Sequence, residues 1–213
     1  MKSWLLQVLV AALLLGGASR SNAQRIYYEE ESTGVTGSIG STNFYDTDVT
    51  VVFNGDISNV TSFLTSSGLY YANEVGSTSI EIDGVGTYSF ADPVWAVDAQ
   101  FGGGYIGLDG NNGGDVILSN VSADSTYLTY NLQAPIGPIT SDQGFAIGAP
   151  FETSGGFLIL SEVEAPYNFT FTAGLGYREL RSDGPSTPEP GSIASILSLC
   201  AAGVGILRRK RVA

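Results

Sequence analysis

Asn168-Phe169-Thr170-Phe171-Thr172-Ala173 alternates strictly between polar and apolar side chains. Successive residues of a strand point to opposite faces, so Phe169, Phe171 and Ala173 line one side and the polar residues the other. The same phase recurs upstream. Residues 48–53 place Val49, Val51 and Phe53 together, and residues 78–83 set Thr78, Ile80 and Ile82 against Ser79, Glu81 and Asp83. Residues 127–132 predict a further strand, with Leu128, Tyr130 and Leu132 opposite Tyr127, Thr129 and Asn131. Residues 157–160 are continuously apolar and predict a central strand covered on both faces.

Turn chemistry separates these runs at Asn54-Gly55, Asp83-Gly84 with Gly86, Gly102-Gly103-Gly104, residues 109–114, residues 135–138 and Gly155-Gly156. Helical periodicity is missing between the termini, where only residues 59–64 suggest a single turn. Short strands at such spacing predict an all-β protein, a single β-sandwich or jelly-roll-like domain over residues 24–177.

The charge of this body is one-sided. Residues 24–187 hold three basic side chains (Arg25, Arg178 and Arg181), no Lys and no His, against 20 carboxylates, a net charge of −17. Binding to nucleic acid requires Lys or Arg to neutralise phosphates, so that class is excluded. Without cations, carboxylates must face water, accept backbone hydrogen bonds or hold metal ions. An acidic surface also keeps an exported protein soluble. The one cysteine, Cys200, lies outside the body, which therefore has no disulfide.

The same inventory restricts catalysis. Ser-His-Asp, Cys-His and Ser-Lys nucleophile systems each need a base that this body lacks, and a His/Cys zinc site is closed for the same reason. Paired carboxylates at Glu162 and Glu164, or at Glu81 and Asp83, keep a glycosidase formally open, although alternation spaces carboxylates this way on any solvated face. Asp109, Asn111 and Asp115 place oxygen ligands at the first, third and seventh positions of a loop that could hold calcium. Gly113 and Asn120 stand where an EF-hand needs further ligands, so it is not an EF-hand. No other cofactor is indicated. Trp95, the single Trp of the body, is the candidate sugar-stacking platform; its apolar neighbours equally suit packing. Asn59, Asn120 and Asn168 each begin an Asn-X-Ser/Thr triplet.

Both ends carry targeting chemistry. Lys2, an apolar run over residues 4–15 and the small residues Ser21-Asn22-Ala23 predict a signal peptide over residues 1–23, cleaved between Ala23 and Gln24. Residues 178–187 read as a flexible linker. Pro188-Glu189-Pro190 then precedes an uncharged stretch over residues 191–207, which as a helix of about 25 Å is at the lower limit for crossing a bilayer. Arg208, Arg209, Lys210 and Arg211 follow, and basic clusters stay on the cytoplasmic side, so the body is expected to face outward.

The tail over residues 188–213 resembles the PEP-CTERM sorting signal of Gram-negative bacteria, cyanobacteria included. The resemblance implies recognition of Pro188, Glu189 and Pro190 by an exosortase-type membrane protease, a membrane span over residues 191–207 and a basic stop at residues 208–211. Thr187 departs from the valine that commonly precedes the triplet. It also implies a final location at the cell surface or in an exopolysaccharide matrix. Together with the missing catalytic residue types, it predicts an exported structural or adhesive protein that is not an enzyme. A carbohydrate-binding module, and behind it a carboxylate-dependent glycosidase, are the alternatives.

Overall fold

The computed structural model describes residues 24–101, 104–110, 116–121, 126–141, 144–145, 149–163 and 168–180. The expected signal peptide, the tail and most of the linker lie outside these residues. What is described is all-β, with two sheets in which every pairing is antiparallel.

The larger sheet has eight strands: β1 (Arg25–Ile39), β2 (Thr42–Asp56), β5 (Gly76–Ile82), β6 (Gly86–Ser89), β10 (Ile136–Ser141), β12 (Phe151–Thr153), β13 (Gly156–Val163) and β14 (Phe169–Leu175). The smaller contains β3 (Val60–Leu64), β4 (Leu69–Asn73), β7 (Val94–Ala99), β8 (Tyr105–Gly110), β9 (Val116–Val121) and β11 (Gly144–Phe145). Its order is β11-β9-β8-β7-β4-β3.

β1 organises the larger sheet. Its full length pairs with β2, while its other edge serves two neighbours in turn: β14 over residues 26–32 and β13 over residues 35–39. The change of partner falls at Gly34, whose positive φ of 71° suits glycine, and the register shifts between Ser32 and Val35. At Gly37 a Cβ would lie 2.4 Å from the Ile159 carbonyl oxygen, so the close approach of β1 to β13 needs glycine. Beyond the change the pairings close into a ring. β1 leads through β2, β5 and β6 to a single bridge between Phe90 and Thr153, then back through β12 and β13. Two facing sheets with one partly closed end fit a sandwich- or barrel-like fold.

One hydrophobic cluster joins both sheets. Ile26, Tyr28, Val49, Val51, Phe53, Ile80, Ile82, Phe169 and Phe171 enter it from the larger sheet, and Val94, Ala96, Ile106, Leu108 and Leu118 from the smaller. The phases expected for residues 48–53, 78–83 and 168–173 are those observed. Phe171 stands among the rings of Tyr28, Tyr127 and Tyr130, with centroids 6.1–6.5 Å away.

Four expectations are corrected. Residues 127–132 form no strand: residues 126–129 turn, Leu132 adopts φ 60°, and Tyr127, Tyr130 and Leu132 are buried while Leu128 is exposed. Here the aromatics plug the core from a loop, which alternation alone cannot distinguish from a strand. Residues 157–160 do lie in β13, but Phe157 and Ile159 face solvent; only Leu158 and Leu160 are buried. Asn54-Gly55 is no turn. It continues β2, and Gly55 makes room for the Phe53 ring and the Asn73 amide, which a Cβ would meet at 2.6 and 2.9 Å. The short helical turn is Ile57–Asn59, capped by Asp56 whose Oδ1 accepts from the Ser58 N–H at 2.9 Å, and residues 60–64 are strand.

The two ends of the body are pinned together. Ile26 pairs with Leu175, and the Gly176 N–H donates to the Arg25 carbonyl at 2.9 Å. Asn54 then grips the chain: its Nδ2 donates to the Arg178 carbonyl at 2.9 Å and its Oδ1 accepts from the Arg178 N–H at 2.8 Å. The Arg178 guanidinium pairs with Glu29 and lies over the Tyr27 ring, as Arg25 lies over Tyr177. Arg178, the first residue of the expected linker, is thus bonded to the sheet.

Phe171→Ala should lower unfolding free energy by about 3–5 kcal/mol, the range for truncating a buried Phe. Phe157→Ala, on the exposed face of β13, should change it by less than about 1 kcal/mol. Chemical denaturation of the two variants checks the assignment of faces.

Candidate functional site

The face of the smaller sheet turned away from the core brings Trp95 and Asp109 together, both half-buried. β7 and β8 pair with Trp95 directly opposite Asp109. Ala96 and Leu108 point into the core, so these neighbours point away from it. Asp109 lies inside β8, one residue before the end of the strand. Asn111 and Asp115, its expected companions in calcium binding, fall outside the described residues. Among the described residues no group of three or more metal-ligating side chains occurs.

A row of small side chains crosses four strands beside this pair: Ala72, Val97, Gly107 and Ser119 are successive cross-strand partners, and all four are buried, so this stretch of the face is covered. Beyond it runs an aromatic row. Phe63 stacks on Tyr70 at 5.4 Å with planes 3° apart, and Tyr70 meets Phe101 and Tyr105 edge-on at 5.0 and 6.3 Å. The Tyr70 and Tyr105 hydroxyls are 3.2 Å apart. Burial pushes the Asp109 carboxyl up to about 7. Trp95 and Asp109 thus set a half-buried indole beside a carboxyl whose Oδ1 is closed to solvent and whose protonation changes near neutrality.

The other acidic candidates are not drawn into a site. Glu81 lies on the outer face of the larger sheet opposite Thr50, and Asp83 follows the end of β5, its N–H donating to the Asp48 carbonyl. Glu162 is within β13, and Glu164 is outside the described residues. Of the Asn-X-Ser/Thr triplets, Asn120 is buried, its Nδ2 donating to the carbonyls of Ile139 and Phe169 at 3.0 and 2.9 Å. It is a clamp between the two sheets.

Sequence reasoning missed two carboxyls in the interior. Glu30 is in phase with Ile26 and Tyr28 on β1, flanked by Val51 and Phe171 on the adjoining strands, and is fully buried. Asp98 is in phase with Val94 and Ala96 on β7, between Tyr71 and Ile106, and is also fully buried. Among the described residues none of their four oxygens has a hydrogen-bond partner of ordinary geometry. Burial pushes Glu30 well above the usual carboxylate range; the backbone of Asn120 opposes the shift and the Asp109 charge adds to it. Burial likewise pushes Asp98 up to about 8, opposed in part by Gln100. The signal lay in the phase: Glu30 follows Ile26 and Tyr28, and Asp98 follows Val94 and Ala96, at inward positions of their strands.

The fold is therefore that of an all-β, two-sheet protein. The face of its smaller sheet turned away from the core carries an aromatic and carboxyl arrangement, and its interior holds two carboxyls that burial favours in the neutral form. No known protein family, curated protein or solved structure matches the chain.

The interior acids set a pH dependence. Between about pH 4 and pH 8 the unfolded chain ionises Asp98 while the folded one keeps it protonated. The unfolded state then binds fewer protons, and stability falls as pH rises. Glu30 acts in the same direction. Asp98→Asn should remove up to about 1.4 kcal/mol per pH unit of that slope and make the protein more stable than wild type at pH 8. Urea unfolding midpoints across this range provide the measurement.

Proposed function

We propose that this is an exported, non-enzymatic protein of the cell surface or extracellular matrix, with a structural or adhesive role. Its body is a single β-sandwich of the jelly-roll kind. The observation that carries the reading is the order of parts: a signal peptide over residues 1–23, an acidic β body, Pro188-Glu189-Pro190, an apolar stretch over residues 191–207 and the basic residues 208–211. The signal peptide directs export, the span holds the chain in the membrane, and the basic cluster leaves the body outside. An exosortase-type protease then acts at the Pro-Glu-Pro triplet, whose prolines keep the segment extended and accessible. A body with no His or Lys supports the absence of nucleophilic catalysis.

The placement of Trp95 beside Asp109 favours a second reading, in which the adhesive role is binding of neutral polysaccharide. The indole supplies a stacking surface and the carboxyl a hydrogen-bonding group for sugar hydroxyls. A body whose three cations lie near its ends has no basic patch along its length to suit anionic polymers.

Replacing Pro188, Glu189 and Pro190 by alanine should cause unprocessed chain to accumulate in the inner membrane, read as a larger mass in fractionated cells. An unchanged mature mass would overturn the sorting reading. Separately, soluble polysaccharide should retard the protein in affinity gels, and Trp95→Ala should abolish that retardation. Equal mobility with and without polysaccharide would dismiss the glycan reading alone.

A further inference from the structure

Natural sheets protect their edges, because an unpaired strand offers a row of free N–H and C=O groups to any other strand. Two edges here follow that rule. β11 has two residues, and β10 carries Pro138, which has no N–H to offer, with a register shift between Ile136 and Ile139. The remaining edge of the smaller sheet, β3, has none of these devices.

Among the described residues β3 pairs only with β4 and terminates its sheet. Its sequence, Val60-Thr61-Ser62-Phe63-Leu64, contains no Pro, no Gly and no charge, and no charged residue occurs between Asp56 and Glu74. Thr61, Ser62, Phe63 and Leu64 are all exposed; Leu64 is 81% exposed, the most of any large apolar side chain described. Phe63 is held in place by its stack on Tyr70. The result is a neutral, partly apolar edge on a body of net charge −17.

The geometry points to β3 as a self-association edge, at which two copies of this chain pair β3 against β3 in antiparallel fashion and join two six-stranded sheets into one. A two-fold register centred on Ser62 sets Val60 opposite Leu64 and Thr61 opposite Phe63 of the other copy. Leu64 then gains an apolar neighbour, and the aromatic row led by Phe63 meets its counterpart across the seam. Charge selects the occupant. Two strongly anionic bodies repel over most of their surfaces, but this register places no like charges opposite one another. A cationic strand from some other protein would find no acidic residue on β3 to recognise. The proposal is independent of where the protein resides, so failure of the sorting reading leaves it intact.

The test is sedimentation equilibrium of the full chain in density-matched detergent at low and high salt. Wild type should sediment at twice the chain mass, with the dimer fraction rising as salt screens the anionic bodies. Leu64→Lys and Thr61→Lys, both at exposed positions, should weaken association at least tenfold. A second measurement does not depend on those variants folding. On a Cys200→Ala background, Ser62→Cys should be joined to its counterpart by a short bis-maleimide. Monomeric wild type at both salts, undiminished association of the lysine variants, or absence of the cross-linked dimer would each overturn the proposal.

Discussion

The larger sheet depends on one 15-residue strand. β1 holds β2 along one edge and both β14 and β13 along the other, so the first strand of the body joins its last two to everything between. The pairing with β2 is a local hairpin, but that with β13 and β14 is non-local and must await residues 158–175. The change of partner at Gly34 lets one strand belong both to an open sheet and to the ring closed by Phe90 and Thr153. Without it, β13 and β12 would have no edge to join, and Phe151, Leu158 and Leu160 would have no core to enter.

A second constraint comes from composition. A body with no cation between residues 26 and 177 cannot neutralise a buried carboxylate by pairing. Glu29, near the chain end, reaches Arg178. Glu30 and Asp98 have no such recourse, and burial raises both above the usual carboxylate range, which favours their neutral forms. An ionised carboxylate in that interior would cost far more than a neutral one. The sequence-based choice among water, backbone and metal therefore omitted a further resolution, the neutral acid.

Alternation was legible wherever packing followed local phase: Val49, Val51 and Phe53, Ile80 and Ile82, Phe169 and Phe171 all face the core as their spacing requires. It misled where long-range partners decided the outcome. Tyr127 and Tyr130 are three apart because a loop delivers them beside Phe171, and Phe157 faces out because nothing described covers β13 on that side. Gly55 looked like a turn because glycine commonly makes one, but its function is to admit the Phe53 ring. At the candidate site, Trp95 and Asp109 could be named singly. Their meeting depends on the register of β7 with β8, which neither segment encodes alone.

The fastening of residue 178 has a mechanical corollary. Traction applied beyond residue 180 reaches first the two Asn54 bonds and the Glu29 contact, then β14, which lies between β10 and β1 and is not a free edge. Load would enter the middle of the eight-stranded layer and be shared among neighbours, and a single ribbon would not peel away from the side. A domain tethered through that point could bear drag from flowing liquid while its opposite end remained undisturbed.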